Sequence, residues 1–320
     1  MFKNHNWLPY ISATTTSLIF GLSFLFSKKA LNVASPFSLL SFRFLAAFSV
    51  MTILVLLKVV KVDYRNKPVK NLFFLALMQP VIYFIFETYG IKFSSSSLAG
   101  VMIALIPVIV TIMASYFLKE RASKAQFAFI SISVAGVGFI AFMNSTDSGS
   151  TSILGIVLLI ITVISAAAFN IMSRKLSSSF TPMEITYFMM GLGAIVFNGV
   201  LIINHAIYGT LLDYFKPLHN KDFIISITYL GILSSVIAFL LVNFTLSKIE
   251  ASKSAVFSNL STIVSIVAGV VILHEQFKYY HLLGSIMILV GVWGTTYFGI
   301  KAKAINDLIK VKEIEEIKIT

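Results

Sequence analysis

Leu118-Lys119-Glu120 recurs 155 positions later in the chain as Leu273-His274-Glu275. The same offset, with no gap, aligns three further pairs: Val81-Ile82 with Val236-Ile237, Phe84 with Phe239, and Gly136-Val137 with Gly291-Val292. Nearer the beginning of the chain, an offset of 146 aligns three more: Ser27 with Ser173, Lys29 with Lys175, and Pro36 with Pro182. Each pair alone is weak evidence, but because all of them are collinear, we expect two copies of one structural unit.

The composition excludes a water-soluble protein. Of the 320 residues, 58% are hydrophobic and 12% are charged, and the mean hydropathy is +0.91. A typical soluble domain carries roughly 25% charged residues. The chain has no cysteine, which excludes disulfides, thiolate chemistry and cysteine-ligated metals. We therefore expect an integral membrane protein.

The apolar windows predict the fold. A spanning helix needs about 20 mainly apolar residues. Ten windows qualify: 9–27, 36–57, 71–91, 95–118, 125–144, 153–173, 182–204, 222–246, 252–273 and 280–300. They divide into a first repeat at 9–144 and a second at 153–300, followed by a charged cytoplasmic tail at 301–320. Because five is odd, we predict an all-α integral membrane fold of ten transmembrane helices in two inverted five-helix repeats, a hallmark of secondary transporters.

Two prolines, Pro80 and Pro107, lie inside predicted spans rather than at helix starts. Proline has no backbone N–H and its ring clashes with the preceding turn. We therefore expect a kink or a local gap in the backbone hydrogen bonding of the third and fourth spans.

The distribution of Lys and Arg predicts the orientation. With the N-terminus inside the cell, eighteen of the 25 Lys and Arg residues lie in cytoplasmic segments and six in outer loops. This positive-inside bias predicts a multi-pass protein of the cytoplasmic membrane with both termini in the cytoplasm. It also accounts for the net charge of +12 without a nucleic-acid partner.

Arg43 and Glu87 are the ionisable residues inside the predicted spans. Each costs about 2.5–3.5 kcal/mol at a helix centre on insertion scales, so such residues are usually paired and functional. Both lie within about 10 Å of the outer helix ends at 1.5 Å per residue, so the two side chains can meet. Two interpretations stay open: a salt bridge that pins the second helix to the third, or a gated, proton-sensitive pair beside the substrate path.

A second set of candidates is polar and uncharged. Amides and hydroxyls within a span must bond to a partner or face a wet cavity. Interhelical hydrogen bonding is the commoner explanation, and substrate contact is the functional one. The candidates for the substrate path, with the aromatic Phe24, are Gln79, Tyr83, Asn170, Asn243 and Asn259. Among the amides, Asn170 and Asn259 are favoured because both lie deep in their spans.

Glu120 and Glu275 close the fourth and ninth spans at matched positions of the two repeats. The predicted topology places one on the cytoplasmic side and the other outside. Their plain interpretation is a helix-end interaction with neighbouring basic residues. The functional alternative is a pair of gate-closing contacts on opposite faces of the membrane.

No motif for catalysis or nucleotide binding stands out. The spans lack paired acids, His-rich clusters and a nucleophile-plus-base spacing, and the chain has no Walker loop. We therefore expect no enzymatic activity, no cofactor and no metal site.

Several stretches make the chain similar to the EamA-type branch of the drug/metabolite transporter superfamily. The match with this family is strongest from Ile106-Pro107-Val108 through Phe117-Leu118-Lys119-Glu120-Arg121. Three further stretches also resemble this family: Phe20-Gly21-Leu22-Ser23-Phe24, Ser41-Phe42-Arg43-Phe44, and Leu230-Gly231-Ile232 through Leu273-His274-Glu275. The second copy has Thr262 where the first has Pro107. The resemblance implies an inner-membrane secondary carrier with a central cavity that exports amino acids or other small metabolites.

The expected function is therefore export of a small organic metabolite by alternating access. Helices 1, 3, 4, 6, 8 and 9 are expected to line the central cavity, with Glu87 and Arg43 as the charge-sensing pair. The expected partners are the small-molecule substrate, the lipid bilayer and protons as a coupling ion, and a homodimer is left open. Two alternatives remain: a flippase for a lipid or lipid-linked sugar, and a membrane-embedded enzyme or assembly factor.

Overall fold

The computed structural model describes residues 7–117, 123–146, 152–249, 251, 254 and 257–298. All regular secondary structure within these residues is helical, and they contain no strand. The helices, numbered in chain order, are α1 (Leu8–Leu31), α2 (Pro36–Leu56), α3 (Val69–Lys92), α4 (Ser96–Ile103 continued by Ile106–Phe117), α5 (Lys124–Thr146), α6 (Ile153–Leu176), α7 (Pro182–Ile207), α8 (Lys221–Lys248), α9 (Ser258–Ile272) and α10 (Tyr279–Phe298). A 3-10 helix, Leu211–His219, connects α7 to α8. The tail at 301–320 lies outside the described residues.

Eight of these helices are long and apolar enough to cross a membrane: α1, α2, α3, α4, α6, α7, α8 and α10. Two shorter apolar segments accompany them: Lys124–Ile140, which is part of α5, and Ser258–Ile272, which is α9. The expectation of an all-helical, multi-pass membrane protein is confirmed. The count of ten spans and their inverted arrangement stay predictions.

Side-chain caps explain where several helices begin. The Ser35 hydroxyl accepts the backbone N–H of Ser38 ahead of Pro36, the first residue of α2. At α7, Thr181 and Glu184 form a reciprocal capping box around Pro182. Proline suits a first helical position because the N–H that it lacks has no partner there. Pro36 and Pro182, which the offset of 146 aligns, therefore both begin helices that a side chain caps.

The interior prolines interrupt their helices as expected. α4 breaks between Ile103 and Ile106, just before Pro107. In α3, residues Leu77–Ile82 form a π-helical segment around Pro80, and Gln79 leaves helical geometry with φ −145° and ψ 114°. Both interruptions lie within the bundle, where other helices can satisfy the freed backbone groups. The carbonyl of Met78, for example, accepts a 2.6 Å hydrogen bond from the Ser165 hydroxyl of α6.

A second π-helical segment, Tyr229–Ile237, interrupts α8. The offset of 155 aligns its Val236-Ile237 with Val81-Ile82, which close the π-helical segment of α3. Both predicted repeats thus contain a π-helical interruption at the positions that the offset aligns. Irregular backbone at membrane depth is tolerated where it is buried in protein or lines a cavity.

Candidate functional site

A central cavity lies between the interrupted helices. The space open to the centre of a water molecule amounts to about 100 Å³. Its wall comes from the six expected helices, together with α2. The polar and charged residues of the wall are Thr16, Ser17, Ser23, Arg43, Gln79, Tyr83, Glu87, Asn170, Thr245, Ser254, Ser258 and Ser261.

Arg43 is held against the irregular part of α8. Its side chain is 1% exposed. Nε donates to the Ser235 hydroxyl at 2.8 Å, and Nη2 donates to the Ser234 hydroxyl at 2.9 Å. Nη1 is buried and has no hydrogen-bond partner among the residues that the structure describes. The two serines therefore orient the guanidinium, and its Nη1 group stays without an acceptor from these residues.

The guanidinium of Arg43 also rests on an aromatic ring. Its Cζ atom lies 4.2 Å from the ring centroid of Phe84 and 5.8 Å from that of Phe44. A cation over an aromatic face gains about 2 kcal/mol when it is desolvated. Phe84 continues edge-to-face to Tyr83, with centroids 4.8 Å apart. This aromatic support compensates part of the cost of burying the charge without a counter-ion in contact.

Glu87 lies on α3 in the same cavity wall and is 2% exposed. Its Oε2 atom has no hydrogen-bond partner in the described ranges of the chain. Among the described residues, ion pairs within 4.0 Å join Lys67 to Glu184 and Arg65 to Asp63. Arg43 and Glu87 interact electrostatically but do not form a contact ion pair. The direct salt bridge that sequence reasoning left open is therefore absent from this conformation.

Arg43 and Glu87 line one cavity, and each has a buried polar atom that lacks a hydrogen-bond partner within the described part of the chain. An unsatisfied buried polar group costs about 1–3 kcal/mol, and a charged one costs more. A ligand that offers an acceptor to Arg43 Nη1 and a donor to Glu87 Oε2 would remove both costs at once. The site can thus bind a small bipolar molecule against the aromatic wall.

The structure separates the polar candidates into two groups. Phe24, Gln79, Tyr83 and Asn170 line the cavity. The Asn170 amide donates one hydrogen bond, of 2.8 Å, to the Ala166 carbonyl of its own helix. Gln79 owes its position to the break in α3. These four residues stay candidates for substrate contact.

Asn243 and Asn259 are not part of the cavity wall. Asn243 accepts a 2.8 Å hydrogen bond from the Ser173 hydroxyl and donates at 3.0 Å to the Thr186 hydroxyl. It thereby ties α8 to α6 and α7, which is the structural alternative considered for such amides. Oδ1 of Asn259 is buried, and no described residue forms a hydrogen bond with it.

Glu275 forms a contact at one end of the bundle that we name the Glu275 clasp. Its two carboxylate oxygens accept the backbone N–H groups of Ser96 and Ser97 at 2.7 and 2.9 Å, and the Ser97 hydroxyl at 2.6 Å. These N–H groups begin α4, where a carboxylate also meets the positive end of the helix dipole. Lys28 lies nearby and donates to the carbonyls of Ile91 and Ser94. The clasp thus joins the loop before α10 to the turn between α3 and α4.

Glu184 forms a second contact at the other end of α3, which we name the Glu184 clasp. Its carboxylate lies 2.7 Å from Lys67 Nζ and accepts the backbone N–H of Asp63 at 3.1 Å. The Tyr64 hydroxyl donates to the Glu184 carbonyl at 2.8 Å. Burial beside this carboxylate raises the pKa of the Tyr64 phenol. Each clasp therefore joins one predicted repeat to the other, at opposite ends of the bundle.

Sequence reasoning missed Glu184 as a gate candidate. The Thr181-Pro182-Met183-Glu184 pattern signals a capping box, but nothing in the sequence announces the contact with Lys67. Glu120, the predicted counterpart of Glu275 in the first repeat, lies outside the described residues. Within the part of the chain that the structure describes, no group of three His, Cys, Asp or Glu residues is arranged to hold a metal.

Comparison with known proteins gives a consistent family. The sequence matches the EamA-like transporter family over residues 7–142 and again over residues 153–297. A Bacillus subtilis (strain 168) protein named an uncharacterized transporter, YcxC, is 42% identical over 92% of this chain and 95% of its own length. An Archaeoglobus fulgidus protein, also named an uncharacterized transporter, is 28% identical over 89% of this chain and 97% of its own. A crystal structure with 15% identity matches the fold with a TM-score of 0.64, covering 90% of this chain and 96% of that one.

Proposed function

The chain belongs to the EamA-like transporter family, and on that premise we propose that it is a secondary transporter that exports a small organic metabolite, such as an amino acid, by alternating access. The observation that carries the proposal is the pair of buried groups in the cavity wall, Arg43 Nη1 and Glu87 Oε2, which lack partners. Such unpaired charges inside a membrane protein mark substrate or ion pathways. Glu87 is the proposed proton-linked carboxylate.

We propose that the chain forms ten spans in two inverted repeats, residues 9–144 and 153–300, with residues 301–320 as a cytoplasmic tail. Two separate matches to one family support two structural units. The π-helical segments of α3 and α8, at the same offset as the sequence identities, support their equivalence. In this arrangement one repeat moves against the other around the cavity.

We propose that the protein lies in the cytoplasmic membrane with both termini in the cytoplasm. The cavity then extends toward the cytoplasm, because its wall includes Thr16 near the start of α1, Thr245 near the end of α8 and Ser258 at the start of α9. Glu87 lies near the opposite end of α3. A cavity that is reached from the cytoplasm supports loading there and release outside.

The Glu275 clasp is the proposed outer gate. In the proposed orientation it lies on the outer side, and the Glu184 clasp lies on the cytoplasmic side, beside the proposed opening. Each clasp joins the two predicted repeats through a carboxylate of the second repeat bonded to the first. Alternating access requires that the Glu275 clasp opens while the cytoplasmic side of the cavity closes.

The test of the function is a comparison of metabolites inside and outside cells that express the chain with cells that lack it. We expect a small set of bipolar metabolites to be depleted inside and enriched in the medium, as measured by mass spectrometry of both fractions. If only a lipid or a lipid-linked sugar changes sides, the flippase alternative replaces this proposal. Unchanged profiles across all these classes would contradict both.

A single cysteine tests the orientation of the cavity, because the chain has no cysteine of its own. Ser23 lines the cavity, and its hydroxyl donates to the Phe20 carbonyl of the same helix. We expect Ser23→Cys to react with a membrane-impermeant maleimide about tenfold faster in inside-out vesicles than in right-side-out vesicles. The control is Asp222→Cys, at the exposed start of α8, which should show the opposite preference. Faster outside labelling at both positions would reverse the proposed direction of opening.

A further inference from the structure

The 3-10 helix between α7 and α8 has three distinct faces. Its sequence is Leu211-Leu212-Asp213-Tyr214-Phe215-Lys216-Pro217-Leu218-His219. Because a 3-10 helix has three residues per turn, side chains three apart share one face. One face therefore carries Leu211, Tyr214 and Pro217, the second carries Leu212, Phe215 and Leu218, and the third carries Asp213, Lys216 and His219.

The first face fixes the helix to the bundle. The Tyr214 hydroxyl donates to the amide oxygen of Asn198 at 2.5 Å, and that oxygen also accepts the hydroxyl of Ser41 at 2.6 Å. The ring of Tyr214 lies 5.2 Å from that of Phe42 and is 9% exposed. The helix thus has a defined orientation on α2 and α7.

The second face is apolar; its Leu218 packs against the core, whereas its other two residues are largely exposed. Leu212 is 97% exposed and Phe215 is 58% exposed. Leaving such side chains in water costs about 25 cal/mol for each Å² of apolar surface. Tyr214 fixes the orientation of the helix, so burial of these two side chains requires apolar surroundings other than the bundle itself.

The third face is charged and polar, and Asp213 and Lys216 are both exposed. A helix with an apolar face beside a charged face suits the boundary between lipid and water. The helix is also held at this level, because α7 and α8, which it joins, are both candidate membrane spans. The two spans that flank it also expose apolar side chains near this end of the bundle, with Ile203 of α7 61% and Ile224 of α8 46% exposed.

We propose that Leu211–His219 is an interfacial anchor that inserts Leu212 and Phe215 into the adjoining phospholipid leaflet and keeps Lys216 among the headgroups. The occupant of the apolar face is the acyl-chain boundary of the bilayer. The apolar face of such a helix lies about 5–10 Å into the boundary between headgroups and acyl chains, where burial of its apolar surface is favourable. The anchor holds α7 and α8 in register with the membrane surface while the remainder of the bundle moves.

The test uses a tryptophan reporter in the purified full-length chain, reconstituted in phosphatidylcholine vesicles. The two native tryptophans, Trp7 and Trp293, are first replaced by phenylalanine, and Leu212→Trp is then introduced. We expect blue-shifted emission and about twofold quenching by lipids brominated near the carbonyl end of the acyl chain. Phe215→Trp should behave in the same way. The matched control is Asp213→Trp on the polar face, which should emit as in water and respond to aqueous iodide instead.

Two results overturn the anchor. Quenching of Leu212→Trp by iodide as strongly as Asp213→Trp would show that the face stays in water. Protection of Leu212→Trp from both iodide and bromolipid would show that protein covers it, either a second copy or another segment. Neither readout depends on transport, so the anchor and the proposed function can fail separately.

Discussion

Glu87→Gln is expected to lower transport about tenfold or more without lowering the amount of protein in the membrane. The change keeps the size of the side chain and removes its charge. Glu87 lines the cavity, is 2% exposed and has an unpaired Oε2 atom, so it supports no other element through a hydrogen bond there. The measurement compares metabolites inside and outside cells that express either form at matched membrane levels.

Asp222→Asn is the matched control, because it removes the same charge at an exposed position outside the cavity wall. It should transport like the unchanged chain. If Glu87→Gln and Arg43→Gln both remove the protein from the membrane, the pair is structural and the assignment of the site fails. If Glu87→Gln transports normally, Glu87 does not lie on the substrate or proton path.

Glu275→Ala is expected to open the proposed outer end of the bundle. The change removes three hydrogen bonds to a charged acceptor, from the backbone of Ser96 and Ser97 and from the Ser97 hydroxyl. A net loss of about 2 kcal/mol shifts a two-state equilibrium about thirtyfold. We therefore expect the Ser23→Cys reporter to label from the outer side about tenfold faster in this variant. Labelling from the cytoplasmic side should fall in parallel.

Gly269→Ala gives a second route to the same state. A Cβ atom at this position would collide with the Ser97 hydroxyl, the Glu275 carboxylate and the Ser96 hydroxyl, the last at 2.9 Å. The neighbouring exposed Gln276→Ala is the control and should leave labelling unchanged. Unaltered outer labelling in both Glu275→Ala and Gly269→Ala would make the clasp a helix cap rather than a gate.

Much of the architecture followed from the sequence because its causes are local. The length and polarity of the apolar windows predicted the multi-pass helical class, and Pro80 and Pro107 predicted the interruptions of α3 and α4. The pairing of Val81-Ile82 with Val236-Ile237 fell on two π-helical segments. These features depend on hydrophobicity and backbone chemistry, which each segment carries by itself.

The site was predictable in part. The insertion cost of a charge marked Arg43 and Glu87, and both line the cavity. The same reasoning favoured Asn170 and Asn259 among the amides, but Asn170 lines the cavity and Asn259 does not. Asn243, also a candidate, bonds to Ser173 and Thr186 outside the cavity. An amide within a span costs the same to bury whether it bonds to a neighbouring helix or lines the cavity. The sequence alone therefore cannot distinguish a structural amide from one that binds substrate.

By itself, the sequence determined that this protein is a helical membrane protein of the EamA type with an internal repeat and two buried charges. The tertiary structure alone decided what those charges touch: Ser234 and Ser235 hold Arg43, and the unpaired Glu87 faces the same cavity. It also decided that Glu184 bonds to Lys67 and that Glu275 bonds to the start of α4. The physical reason is that these contacts join residues more than a hundred positions apart, and their partners depend on how the helices pack rather than on any single helix.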